Sequence, residues 1–158
     1  MLVEAKSLGN ALSNTSLAYA FYGCNKLTGV SSVLPNTVTS LVEMFWNCYI
    51  FNSPNVCNWN TSKVTNMLGA FESCYTFNQN IGNWNTSKVT NMGYMFRGAY
   101  AFNQDIGNWN VSSCSNFNYM FRNTTAFNQD IGNWKLRPAG ATMTDMFVSA
   151  RAWSTQSA

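Results

Sequence analysis

The chain contains no histidine. That removes the commonest general base and the commonest metal ligand. Charged side chains make up only 9 % of the sequence, with a net charge of +3. A balance so small and scattered does not point to nucleic acid. No apolar run reaches the ~18 residues needed to cross a bilayer. Residues 1–25 lack a basic start followed by an apolar stretch, so no signal peptide is visible. Export by another route, or a start upstream of residue 1, is the expectation if the chain is displayed outside a cell. The five cysteines form no CxxC pair, and without histidine a zinc site is not expected. Neither a Gly-rich phosphate loop nor a nucleophile–base pairing stands out, so neither an enzyme nor a cofactor is expected.

The polarity that is present comes from uncharged side chains, among them 23 asparagines, while aromatic residues reach 15 %. Asparagine bonds its own main chain and tolerates left-handed backbone, which suits a chain that turns often. The 158 residues amount to one domain.

The dominant feature is a repeat. Residues 83–107 read NWNTSKVTNMGYMFRGAYAFNQDIG, and close copies occupy 58–82 and 108–132. A fixed period of this size marks units that each stack on the next, because none buries its own apolar face alone. Aligned on Phe21, Phe45, Phe71, Phe96, Phe121 and Phe147, the intervals are 24, 26, 25, 25 and 26. Four residues earlier stand Leu17, Leu41, Met67, Met92, Phe117 and Met143. Six residues later stand Leu27, Phe51, Phe77, Phe102, Phe127 and Trp153. These three apolar columns predict a core running the length of the chain.

Within one unit, Val89, Met92, Met95 and Phe96 follow helical spacing for about two turns. Asn85-Thr86-Ser87 offers a cap before them. The stretch from Phe102 to Trp109 reads as a short extended piece with a turn at Gly107. In the first copy, LTGVSSVLP at 27–35 reads as a short strand.

AFYGCNKLTGVSSVLPNTVTSL, 20–41, resembles the leucine-rich repeat of BspA-type bacterial surface proteins. The later WNTSKVTNMxxMFxxAxxFNQDIG units resemble its Met-Phe variant. The resemblance covers residues 16–153 and implies a strand on one face of each coil and a helix or turn on the other. It also implies a role at a cell surface in adhesion. The predicted fold is therefore an α/β repeat solenoid, leucine-rich-repeat-like, of about six coils of ~25 residues. Its organisation would be an N-terminal cap or half-coil at 1–15, a single solenoid over 16–153 and a tail at 154–158. The last coil departs from the pattern at Pro138, where the others carry a Thr-Ser cap.

Such an array performs no chemistry of its own in this reading. It is a non-catalytic module that binds protein or glycan, secreted or held on a cell or virion surface. The alternative is a structural spacer or decoration in an envelope, fibre or virion. An uncovered end of the array exposes apolar columns and edges. End-to-end contact with another chain, or a C-terminal extension, is therefore expected as well.

The candidate partner-binding positions are the recurring polar ones. Arg97 and Arg122 follow the aligned Phe, where other copies have Tyr22, Trp46 and Glu72. Asn103-Gln104 and Asn128-Gln129 repeat Asn78-Gln79, either as an amide ladder between coils or as a polar ligand surface. Asp105 and Asp130 share a column, as turn caps or, less simply, as a cation pair or acid–base pair. Trp59, Trp84, Trp109 and Trp134 form a further column, buried or serving as an aromatic strip for sugars. Cys24, Cys48 and Cys74 share a column with Ala99, Thr124 and Ala150, which asks for a small side chain, with reduced thiols favoured over a Cys24–Cys48 bridge. Five sequons, at Asn14, Asn60, Asn85, Asn110 and Asn123, recur largely because the cap motif recurs.

Overall fold

In the computed structural model, residues 3–5, 8, 15–137 and 140–150 are described. Most of the predicted N-terminal cap at 1–15, including Asn14, together with Pro138, Trp153 and the predicted tail at 154–158, lies outside them.

The period is present, but the predicted secondary structure is not. Among the described residues there is no α-helix. The regular elements are two short parallel strands, β1 (Val3–Ala5) and β2 (Leu27–Val30), and one 3-10 helix, Pro54–Asn58. Of the strand expected at 27–35, β2 covers Leu27–Val30, and residues 31–35 lie outside it. The α/β repeat solenoid, with a strand and a helix in each of about six coils, is thereby overturned.

What replaces it is a set of linked turns. Ser16, Ser40, Asn66, Asn91, Asn116 and Thr142 are joined in sequence by single parallel bridges. After each bridge the chain makes three overlapping four-residue turns. In one copy Met95 N–H donates to the Met92 carbonyl, Arg97 N–H to Tyr94 and Ala99 N–H to Phe96. Tyr94 and Gly98 sit in the left-handed region, at φ of 59° and 69°. That is the third position of the first and last turns, where a type II turn requires positive φ.

The alternate N–H groups leave the repeat altogether. Met92, Tyr94, Phe96 and Gly98 donate to the carbonyls of Asn116, Asn118, Met120 and Arg122 in the next copy. A helix would send those same groups four residues back. Here the neighbour's carbonyls take them, and the helical spacing of Val89, Met92, Met95 and Phe96 is satisfied by turns that point the same side chains inward. All four are fully buried.

The core is aromatic and continuous. Phe45, Phe71, Phe96 and Phe121 stack on one another at 5.4–5.8 Å between centroids. Each also stacks within its own copy, on Phe51, Phe77, Phe102 or Phe127, at 3.9–4.1 Å. The predicted columns thus fill the interior, apart from the end positions. Phe21 and Phe147 are only partly buried, and Met143 is exposed.

The tryptophans are internal fixings. Trp59, Trp84 and Trp109 are buried, and Trp134 is partly so. Each indole N–H donates to a carbonyl of the preceding copy: Ser31, Val56, Ile81 and Ile106. Burial with the N–H satisfied leaves no open strip for sugars.

The small column carries hydrogen bonds as well as bulk. The Cys48 and Cys74 thiols donate to the carbonyls of Phe21 and Phe45, and the Thr124 hydroxyl donates to Phe96. All five cysteines are free thiols. Burial pushes Cys48 up to about 12 and Cys114 up to about 11, and raises Cys74 well above the ordinary thiol value. Thiolate is the nucleophile, so these three should resist alkylation in the folded protein. Exposed Cys24 should react first. Mass spectrometry after a brief iodoacetamide pulse at pH 8 checks this; rapid labelling of Cys74 would contradict it.

Candidate functional site

Side chains that leave the core do so at set places in the turns. Left-handed Tyr94 and Tyr119 stand at successive corners, with ring centroids 4.7 Å apart. Three residues on, Arg97 and Arg122 place their guanidinium carbons 5.7 and 5.4 Å from those rings. At exposed sites such contacts contribute about 0.5–1 kcal/mol each, and their chief effect is to hold the arginines still.

A carboxylate from a neighbouring copy completes each cluster. Arg97 Nη1 donates to Glu72 Oε1 at 2.7 Å, and Arg122 Nη1 donates to Asp145 Oδ2 at 3.0 Å. The two pairs differ in setting. Glu72 is buried, and burial pushes its carboxyl up from its ordinary value against the opposing pull of Arg97. Asp145 and Arg122 are both open to solvent, where a pair contributes little.

The Glu72 shift has a pH consequence. A carboxyl raised in the folded state binds its proton more tightly there than in the unfolded chain. Its stabilising contribution is complete below the ordinary value of 4.5 and is lost as pH rises through the higher folded value. Glu72→Gln should therefore gain on the wild type between pH 4 and pH 7, read from urea midpoints. A wild type that gains instead would show Arg97 outweighing burial.

A second aromatic row lies four residues after the aligned Phe. Tyr49, Tyr75 and Tyr100 stack at 4.7 and 4.8 Å, and Tyr75 and Tyr100 are exposed. Neither tyrosine row was expected from sequence. The signal was available: a tyrosine recurs at that offset in three consecutive copies, on the solvent side of the predicted columns.

The candidate polar positions fall elsewhere. Asn103 and Asn128 belong to an amide ladder. Asn78 Oδ1 accepts from Asn103 N–H and from Gln104 Nε2. Asn103 Oδ1 in turn accepts from Asn128 N–H and Gln129 Nε2. The ladder starts at Asn52, which accepts from Asn78 and Gln79, and its last acceptor, Asn128 Oδ1, is buried without a partner. These amides staple one copy to the next.

Asp105 and Asp130 each close a turn, with Oδ1 accepting from Gly107 N–H at 2.9 Å and from Gly132 N–H at 2.7 Å. Both are exposed and line a polar groove with Asn108, Gln129 and Asn133. Among the described residues no group of three or more Cys, Asp or Glu is placed to hold a metal ion. Nor is any helix long and apolar enough to cross a membrane. The structure brings Arg97 and Arg122 together with the tyrosines, and Asp105 and Asp130 with the glutamine end of the ladder.

A family described as "Mycoplasma protein of unknown function, DUF285" has a model that matches residues 15–92 and 39–158. No curated protein and no solved structure matches the chain.

Proposed function

The chain belongs to the DUF285 family, a domain found in BspA-like repeat surface proteins, and on that premise we propose that it is a non-catalytic binding module displayed at a cell or particle surface. Its ligand is a protein. The observation that carries this reading is the tyrosine–arginine face. Tyrosine and arginine supply large contact area and directed hydrogen bonds, and they are enriched where interfaces hold most of their energy. Stacking and ion pairing fix these side chains beforehand, which lowers the entropy cost of association.

The choice of protein over glycan rests on ring geometry. Tyr49, Tyr75 and Tyr100 lie face to face below 5 Å, so Tyr75 has a neighbour on each face. A sugar stacks on an open aromatic face, whereas a polypeptide uses ring edges and hydroxyls.

A double variant, Tyr75→Ala with Tyr100→Ala, tests this. Screened against surface-displayed polypeptides and a glycan array, the wild type should select polypeptides. The variant should lose at least about tenfold in affinity, as removal of an interface hot spot does, and should melt cooperatively. Hits on glycans alone, or binding indifferent to the two tyrosines, would contradict the reading. The structural-spacer alternative draws on a different observation, the exposed ends of the array.

A further inference from the structure

The groove beside Asp105 and Asp130 takes no part in the tyrosine face. It runs on into the preceding copies, where a space of about 520 Å³ is lined by Cys57, Asn58, Asn80, Asn83, Asp105 and Asn108. Asp105 and Asn108 belong to both stretches. Together they extend from Cys57 to Asn133, across the middle of the array.

The sequence supplies the lining. Asn58, Asn83, Asn108 and Asn133 each stand directly before a tryptophan of the inner column, and all four are exposed. Gly82 and Gly107 bring the backbone of one copy against that of the next, where a Cβ would meet the Asp105 or Asp130 carbonyl at 2.5 or 2.7 Å. Positions held to glycine by packing leave the floor of the groove bare of side chains.

The walls are polar and partly unused. Asn80 Oδ1 and one oxygen of each carboxylate accept from the glycine N–H two residues on, which fixes their aim. Asn83 Nδ2 donates to the Cys57 carbonyl. The side-chain amides of Asn58, Asn108 and Asn133, and the Oδ2 atoms of Asp105 and Asp130, bond no described residue. Neither carboxylate has an ion-pair partner among the described residues. No lysine, arginine or aromatic ring lines either stretch.

These features select a ligand. An amide offers a donor and an acceptor, a carboxylate offers acceptors, and a hydroxyl answers either. Two carboxylates without a cation repel a phosphate, sulfate or uronate chain. A nucleobase finds no ring to stack on, and a polypeptide finds no aromatic or apolar pocket for an anchor. The same polar set recurs from copy to copy, so the matching ligand is itself a repeating chain.

We propose that this groove binds an uncharged linear oligosaccharide, its hydroxyls bonded by Asn58, Asn108 and Asn133 and by the free oxygens of Asp105 and Asp130. It is a second site, separate from the tyrosine–arginine face and its protein ligand. The aim of the carboxylates is set before binding, which lowers the cost of ordering them.

NMR titration of the isotope-labelled full chain tests this. The uncharged probes are cello-, chito- and manno-oligosaccharides, and oligogalacturonate is the anionic comparison. At least one uncharged probe should move the side-chain amide signals of Asn58, Asn108 and Asn133 below about 10 mM, and oligogalacturonate should not. Asn108→Ala should weaken that binding about two- to tenfold, the worth of one hydrogen bond, with an unchanged thermal melt. Tyr75→Ala with Tyr100→Ala should leave the sugar titration as it was, and Asn108→Ala should leave polypeptide binding as it was, so the two readings fail separately. No shift with any uncharged probe, shifts confined to the tyrosines, equal binding of oligogalacturonate, or a titration indifferent to Asn108→Ala would overturn the proposal. The wild-type titration decides the matter even where a variant fails to fold.

Discussion

Trp84→Ala should lower stability by about 3–5 kcal/mol, the usual cost of emptying a buried aromatic site. Trp84 is 3 % exposed. It stacks on Trp59 at 6.2 Å, leans against Phe71 at 5.9 Å and donates its indole N–H to the Val56 carbonyl. Removal therefore takes out contacts to two copies at once. Val56 keeps one donor, Trp59 N–H, so most of the loss is packing rather than an orphaned carbonyl. For a chain of this length, 1 kcal/mol corresponds to about 2–4 °C in Tm, and the expected fall is about 6–20 °C. Trp134 supplies the comparison. It makes the same kind of hydrogen bond, to Ile106, but is only partly buried. Trp134→Ala should cost clearly less. Trp134 also stacks on Trp109 and leans against Phe117 and Phe121, so equal losses at the two positions would show that depth of burial does not set the cost.

Gly82→Ala should be the most damaging small change in the chain. A Cβ at residue 82 would lie 2.5 Å from the Asp105 carbonyl oxygen of the next copy, and one at residue 107 would lie 2.7 Å from that of Asp130. Both obstacles are backbone, so no rotamer change relieves them and the copies must separate. Overpacking of this kind costs about 1–3 kcal/mol. Gly132 occupies the same column, and its nearest obstacle among the described residues is the Asp130 side chain at 3.1 Å. Gly132→Ala should change stability by less than about 0.5 kcal/mol. Urea denaturation of the three variants checks the order; a harmless Gly82→Ala would mean that the copies do not approach so closely.

The same column shows how far the sequence could be read. The three apolar columns, the burial of Trp59, Trp84 and Trp109 and the first part of the strand read at 27–35 followed from period and side-chain type, because a core position constrains what may occupy it. Secondary structure within a copy did not follow. Apolar residues at 89, 92, 95 and 96 fit two turns of helix and fit linked type II turns equally well, since both bring every third or fourth side chain to one side. The deciding fact is where Tyr94 N–H goes, and that depends on a chain segment 24 residues away.

One local sign was present. Two residues after the aligned Phe stand Gly23, Asn47, Ser73, Gly98, Asn123 and Ser149, all at positive φ. A column rich in glycine and asparagine signals left-handed backbone, which a helix interior does not accept. The recurrent glycine of the NIG and DIG triplets was read as a turn, whereas it is also the point of closest approach between copies. Among the candidate site residues, Arg97 and Arg122 owe their setting to Tyr94, Tyr119, Glu72 and Asp145. Tyr94, Tyr119 and Asp145 share one column with Tyr19, Glu43 and Gly69, so an aromatic and acidic bias was present there, and only its meeting with the arginines depends on the fold. The Asn and Gln positions recur because they bond one copy to the next, a reading that the identical spacing already offered.

The central claim is that alternate N–H groups in each turn segment cross to the neighbouring copy instead of closing a helix. NMR scalar coupling through the hydrogen bond reads this directly. Tyr94 N–H should couple to the carbonyl carbon of Asn118, as the 2.8 Å contact requires. Coupling instead to the carbonyl of Thr90, four residues back, would restore the helix and contradict the account.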